Sequence, residues 1–222
     1  MVAGVLPWGR RWIVGPAKVH AATFAPETPL VVDTFADVLG QFPAYSVVVV
    51  AAPVGYPGSA HAAYRTCDRE ARRLLRWRSS SISKVPTRSA LLGDPPRLEG
   101  LDVVTLSRIV AFRQVGLEMS PYRQRTVYEG HPELSFFQIN GESPLQWSKH
   151  RDEGREERRD LLTKRIPGIQ RFLDEPGPAP LTHRFDAAAL MWTARRVQGR
   201  AAKRIPADAE WDSEGLRMEY VY

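Results

Sequence analysis

Cysteine is almost missing: Cys67 stands alone among 222 residues, so the chain cannot close an internal disulfide and offers no second thiolate for a multi-cysteine zinc site. A reducing, cytoplasmic setting is the expectation. Long apolar runs are missing too. The longest, Val47-Val48-Val49-Val50-Ala51-Ala52, has six residues, against the roughly 18 to 20 that a membrane span requires. A soluble chain with no membrane partner is expected. After Arg10 and Arg11, only Trp12-Ile13-Val14 precedes Gly15, too short an apolar core for a secretion signal. Lysine is scarce, at positions 18, 84, 149, 164 and 203, so the basic side chains are overwhelmingly arginine. The net charge is +6 and the isoelectric point about 9.7. Arginine forks suit bidentate contacts to phosphate or carboxylate, and the same excess arises in chains from GC-rich genomes; composition leaves both open.

A chain of 222 residues can bury one substantial core, and a single α/β domain over 1–222 is the simplest arrangement. Val2 to Leu6, Trp12 to Val14 and Leu30 to Val32 read as short strands of a meander. Thr34-Phe35-Ala36-Asp37 reads as a capping box that opens a short helix through Leu39. The unalternating run Ser46 to Ala52 fits a strand covered on both faces. From about Ala60 to Trp77, Tyr64, Cys67, Ala71, Leu74 and Leu75 recur at helical spacing beside a stripe of Arg65, Arg69, Arg72 and Arg76. That stripe is either a solvated face or one that tracks phosphates. Cys67, on the apolar side, should be a buried thiol with little thiolate character.

Residues 78–100, rich in Ser, Pro and Gly, predict a mostly irregular surface excursion. Helical periodicity returns over Leu101 to Leu117 through Val104, Ile109, Phe112 and Val115. Thr126 to Tyr128 should be a buried strand, and Pro132 can start the helix after it, where its missing donor costs little. Residues 152–165 form a highly charged helix that Pro167 ends, Pro176 to Pro180 a rigid connection, and Phe185 to about Gly199 a final helix. In that helix Ala187, Leu190, Met191, Ala194 and Val197 face inward, and Leu216 to Tyr222 can add an edge strand. No internal repeat is present. Trp8, Trp12, Trp77 and Trp147 read mainly as core or hinge aromatics, without a motif that would organise them for base stacking.

Several segments, in order, carry a resemblance: Gly4 with the Trp12-containing hairpin; Pro53-Val54-Gly55-Tyr56-Pro57; Cys67-Asp68-Arg69-Glu70-Ala71 followed by Arg78-Ser79-Ser80; Glu129-Gly130-His131-Pro132-Glu133-Leu134-Ser135-Phe136; Ser148-Lys149 with Gly154-Arg155 and Arg158; and Asp186-Ala187-Ala188 with Trp192-Thr193-Ala194. Together they resemble the family catalogued as domain-of-unknown-function 429, predicted ribonuclease-H-like nucleases related to resolvases. The resemblance spans nearly the whole chain. It implies a ribonuclease-H-like α/β fold: a central mixed sheet flanked by helices, with acidic side chains on the middle strands and on a C-terminal helix. Two-cation cleavage of a phosphodiester needs several carboxylates to hold metals roughly 4 Å apart. The resemblance places one Asp two positions after Gly4, where this chain has Leu6, and another two before Pro53, where it has Ala51. Neither side chain can bind Mg²⁺ or Mn²⁺, so those cofactors are disfavoured.

Among the matching positions Glu129, Glu133 and Asp186 remain acidic, with His183 where the family often has a further Asp. These four are the candidate catalytic residues. His131, Lys149, Arg155, Arg158 and Arg69 are the candidate binding residues. His131 and Glu133 also suit a plain helix cap, and Lys149, Arg155 and Arg158 have rival partners in Asp152, Glu153, Glu156 and Glu157. His183 and Asp186, at i and i+3, share a helix face if the helix begins early. With Glu133 they could then hold a transition metal such as Zn²⁺ or Mn²⁺.

The leading expectation is a catalytically degenerate nuclease homologue whose anion-binding cleft takes nucleic acid or a protein partner. A second is a repurposed acid/base enzyme acting on a small molecule in the same cleft. A third is a metal-dependent nuclease with substitute ligands such as Asp33 or Asp68.

Overall fold

The computed structural model describes residues 1–21, 23–58, 64–94 and 96–222. The chain opens with a hairpin of β1 (Val2–Trp8) and β2 (Arg11–His20), followed by β3 (Thr23–Pro26), β4 (Leu30–Val32), α1 (Phe35–Leu39) and β5 (Val47–Val50). Next come α2 (Thr66–Leu75), a 3-10 turn (Arg76–Ser81), α3 (Arg88–Leu92), α4 (Val103–Ser107), α5 (Ile109–Glu118) and β6 (Val127–Glu129). The remainder is α6 (Pro132–Ile139), α7 (Asp152–Arg165), α8 (Ile169–Asp174), α9 (Leu181–Gln198), β7 (Arg204–Trp211) and β8 (Arg217–Val221).

The six-stranded sheet runs in the order β3-β2-β1-β5-β6, with β4 also paired to β2. β1 and β2 are antiparallel, whereas β1, β5 and β6 run parallel. This mixed α/β sheet flanked by helices is consistent with a ribonuclease-H-like fold. Four valines in a row expose no polar face, which is stable only where both sides of a strand are covered. Side chains alternate across a strand, so Val47 and Val49 pack against α6 to α9, while Val48 and Val50 join Phe35, Phe112 and Val115 on the opposite side. The capping box forms as expected, with the Asp37 amide donating to Thr34 Oγ1 and the Thr34 amide to Asp37 Oδ2.

β1 and α9 touch backbone to backbone. A methyl group on Gly4 would lie 2.1 Å from the Met191 nitrogen and 2.3 Å from the Ala187 carbonyl oxygen, so only glycine permits this approach. The contact sets where α9 crosses the parallel strands, and with it the position of Asp186.

Several expectations are corrected. The expected helix onset at Ala60 lies outside the described residues; α2 begins at Thr66, and Trp77 belongs to the 3-10 turn. Pro95 of the excursion is likewise outside them. The rest of 78–100 is less irregular than expected, because α3 forms and Ile82, Val85 and Leu91 are buried. Leu101 to Leu117 is not one helix: Arg108 breaks it at φ −107°, ψ 0°, and Val104 is half exposed. The last long helix starts at Leu181, four residues early, and the tail pairs with the unforeseen β7 in a separate two-stranded sheet. Among the described residues a single bridge, Gly130 to Val221, connects β8 to the end of β6.

Arg65, expected in a stripe that is solvated or tracks phosphates, is instead 3% exposed and anchors the core edge. Its guanidinium pairs with Asp68 at 2.9 Å and Glu129 at 2.5 Å, and donates to the Gly55 carbonyl at 2.8 Å. Tyr220 completes the network by donating to Asp68 at 2.8 Å. Burial opposes the charge on Arg65, yet the carboxylates hold it protonated well above the usual range. Removing one member of such a network strands the others without compensation. Arg65→Met is expected to lower the unfolding free energy in urea by about 3–5 kcal/mol, and Arg69→Met, on the exposed side of α2, by no more than about 0.5 kcal/mol.

Candidate anion-binding cleft

In open sheets of this kind the crevice lies beyond the carboxyl ends of the parallel strands. Here those ends are Leu6 and Pro7 of β1, Ala51 after β5, and His131 after β6, and they floor a cleft of about 320 Å³. The 3-10 turn contributes Arg78, Ser80 and Ser81 to one wall; Ser148, Lys149 and His150 form another; Val104 and Arg108 close the rim. His183 and Asp186 reach it from the first turns of α9, and Glu133 from the first turn of α6.

Each carboxylate in the cleft is claimed by a cation. Glu133 accepts from Arg158 Nη2 at 2.6 Å and Arg78 Nη2 at 3.1 Å. Burial alone would raise its proton affinity, but the two guanidiniums outweigh burial and hold the carboxyl below its ordinary pKa. Asp186, 5% exposed in its side chain, accepts from Lys149 Nζ at 2.5 Å. The Arg108 side chain makes no hydrogen bond or ion pair with any described residue, while its backbone amide donates to the Thr105 carbonyl. Four cations, counting Arg158 behind the wall, therefore face two carboxylates, and a low-dielectric concavity concentrates such an excess.

His131 and His183 are held toward the neutral form. His131 is the N-cap of α6, its Nδ1 accepting from the Glu133 amide at 3.2 Å, so the expected cap is formed by the imidazole, while the Glu133 carboxylate turns to arginines. Burial, then the charge of Arg108, lowers the His131 pKa to about 4. Burial followed by Lys149 lowers that of His183, against the opposite pull of Asp186.

A divalent cation does not fit this donor set. Leu6 and Ala51 have no lone pairs to offer, Glu133 is spent on two arginines and Asp186 on Lys149. Among the described residues no three His, Cys, Asp or Glu side chains converge as metal ligands. His183 and Asp186 do share the early turns of α9, but no third ligand joins them. Asp68 is locked to Arg65 and Asp33 is exposed outside the cleft.

The expected site is thus gathered in part. Glu133, His131, His183, Asp186 and Lys149 meet in one cleft. Glu129 does not join them: it is 3% exposed, held by Arg65 and the Val54 amide, and reaches only an adjoining hollow of about 30 Å³. Its pKa is raised by burial despite Arg65. Arg155 pairs with Asp152 and the His150 carbonyl, as its acidic neighbours suggested. Arg158 is fully buried and works from behind Glu133, not over the opening. Arg69 lies away from the cleft, donating to the Tyr64 carbonyl and Thr66.

Arg78 was visible only as part of a motif. Arg108 carried no signal, because an arginine between two helices is recognisable only once the chain is folded. Gly154 also gains a reason: a methyl there would lie 2.0 Å from the Ser148 carbonyl oxygen. Its bare Cα lets the loop carrying Lys149 seat against α7.

The fold and site define an α/β protein with a cationic cleft at the carboxyl ends of its parallel strands. The family model described as protein of unknown function (DUF429) matches residues 7–211, and the chain belongs to that family. No curated protein and no solved structure matches it. No helix among the described residues is long and apolar enough to cross a membrane.

Two outcomes are expected. A His131 pKa depressed on folding means that stability present above the unfolded value near 6.5 falls as the pH drops toward about 4. His131→Asn, which keeps a capping acceptor, should flatten that pH dependence in denaturation curves taken across this window. Gly154→Ala should displace Lys149 and weaken binding of anions in the cleft while changing the secondary structure seen by circular dichroism little.

Proposed function

We propose that the protein is a non-hydrolytic member of its family that binds a phosphate-bearing polyanion, a nucleic-acid strand, in the cationic cleft. One observation carries this reading: both carboxylates of the cleft are neutralised by paired cations, while the Arg108 side chain has no partner among the described residues and can meet an incoming anion. Guanidinium and ammonium groups over an apolar floor suit phosphate oxygens. The same pairing, with hydrocarbon at Leu6 and Ala51, opposes the two-cation centre that hydrolysis requires.

The test has two arms. Single-stranded, duplex and branched DNA and RNA are incubated with Mg²⁺ or Mn²⁺, and no turnover above that of Glu133→Gln is expected. In the second arm, Arg108→Ala should weaken strand binding roughly tenfold, the loss typical of one or two charge-assisted hydrogen bonds, with a shallower salt dependence. Robust cleavage abolished by Glu133→Gln would overturn the reading.

A second reading is favoured by one feature, the depressed proton affinity of His183 at a half-apolar wall. A neutral imidazole there can act as a general base toward a small anionic substrate. Small phosphorylated or carboxylated compounds that raise the melting temperature of wild-type protein more than that of His183→Asn would support it.

A further inference from the structure

The cleft of about 320 Å³ holds a group of single-nucleotide size, and what lies beside it bears on which form of nucleic acid it accepts. Trp77 is 59% exposed, and its indole is not loose. Nε1 donates to the Leu145 carbonyl at 3.0 Å, so the ring's one polar atom is satisfied while much of its apolar surface stays in water. The anchor joins two walls of the cleft. Trp77 directly precedes Arg78 in the 3-10 turn, and Leu145 lies three residues before Ser148, Lys149 and His150. An exposed, hydrogen-bonded aromatic adjacent in the chain to a residue that lines a cationic cleft brings together the two elements that single-strand binders combine, charge for the backbone and a π-face for the bases. Further charge extends along the same end of the sheet, where Arg10 and Arg11 are exposed at the β1–β2 turn beyond Pro7 and Arg11 stacks 4.6 Å from the Trp8 ring centroid.

We infer that Trp77 is a base-stacking platform for a single strand whose phosphate is held by Arg108 and Lys149. The inference rests on the cleft being an anion site, and adds that the partner is single-stranded. A duplex keeps its bases stacked on one another and offers no free face to an isolated indole, whereas an unpaired base stacks on such a ring without regard to sequence.

Fluorescence anisotropy of a labelled oligothymidylate of about twelve residues, and of a duplex of equal length, across a salt series tests this. The oligothymidylate is expected to bind more tightly. Trp77→Ala should weaken it roughly 5- to 100-fold, the range for loss of one stacked base, with the salt slope unchanged. Trp77→Phe, which keeps a ring and loses the hydrogen bond to Leu145, should stay within about threefold of wild type, since a phenyl face still stacks. Arg108→Ala should instead lower the slope by about 0.7, one phosphate contact on a single strand. Binding that weakens with Arg108→Ala and ignores Trp77→Ala, or that prefers the duplex, overturns this inference and leaves the anion cleft standing. Equal losses in Trp77→Ala and Trp77→Phe overturn it in favour of a structural role for the Leu145 bond. Failure of every strand to bind overturns both.

Discussion

A carboxylate taken out of water must be compensated, and Glu133 is compensated twice. Arg78 comes to it from the turn after α2, Arg158 from α7, and its own backbone amide is held by His131. Two separate pieces of chain therefore converge on one side chain at the start of α6. Because a buried charge stripped of its partner is costly, the elements carrying these groups are tied to the same point, and the walls of the cleft take their spacing from it.

The electrostatic character of the cleft follows. Acidic groups facing a crevice ordinarily offer lone pairs to cations, but here guanidiniums and an ammonium occupy them first. Asp186 is brought over the strand ends because α9 packs on the bare backbone of Gly4, and Lys149 reaches it because Gly154 lets the preceding loop come close. With Leu6 and Ala51 forming hydrocarbon between them, the surplus charge is positive, and the imidazoles of His131 and His183 are held toward the neutral form. Such a site carries surplus positive charge and has little to hold a divalent ion. A separate network around Arg65 fastens α2, β6 and β8 together just beneath, and it claims Glu129, which by position alone would be counted with the cleft acids.

Much of the fold was legible from pattern. The valine run, the capping box at Thr34, Pro132 at a helix start and the charged helix at 152–165 all formed where local chemistry placed them, since each rests on neighbours within a few residues. Strand β7 was not legible: Arg204 to Trp211 has an alternation broken by Pro206 and several charges, and its partner β8 is needed to make it a strand. Half the cleft was legible too, through the acids and histidines of the resemblance. Arg108 and Val104 were not, because nothing in a short helix-breaking segment says that it will close over the ends of β1 and β5, more than fifty residues away.

What the residue order determined unaided was the chemistry that could not be present: no lone pairs on the side chains of Leu6 and Ala51, where the resemblance leads one to expect carboxylates, one thiol, few lysines. These are properties of single positions and survive any arrangement of the chain. Only the tertiary structure decided which charges meet. Glu133 and Glu129 are four residues apart and the same residue type, yet one lines the cleft between two arginines and the other is sealed under Arg65. Pairing depends on distances and burial set by distant elements, and no local pattern encodes those.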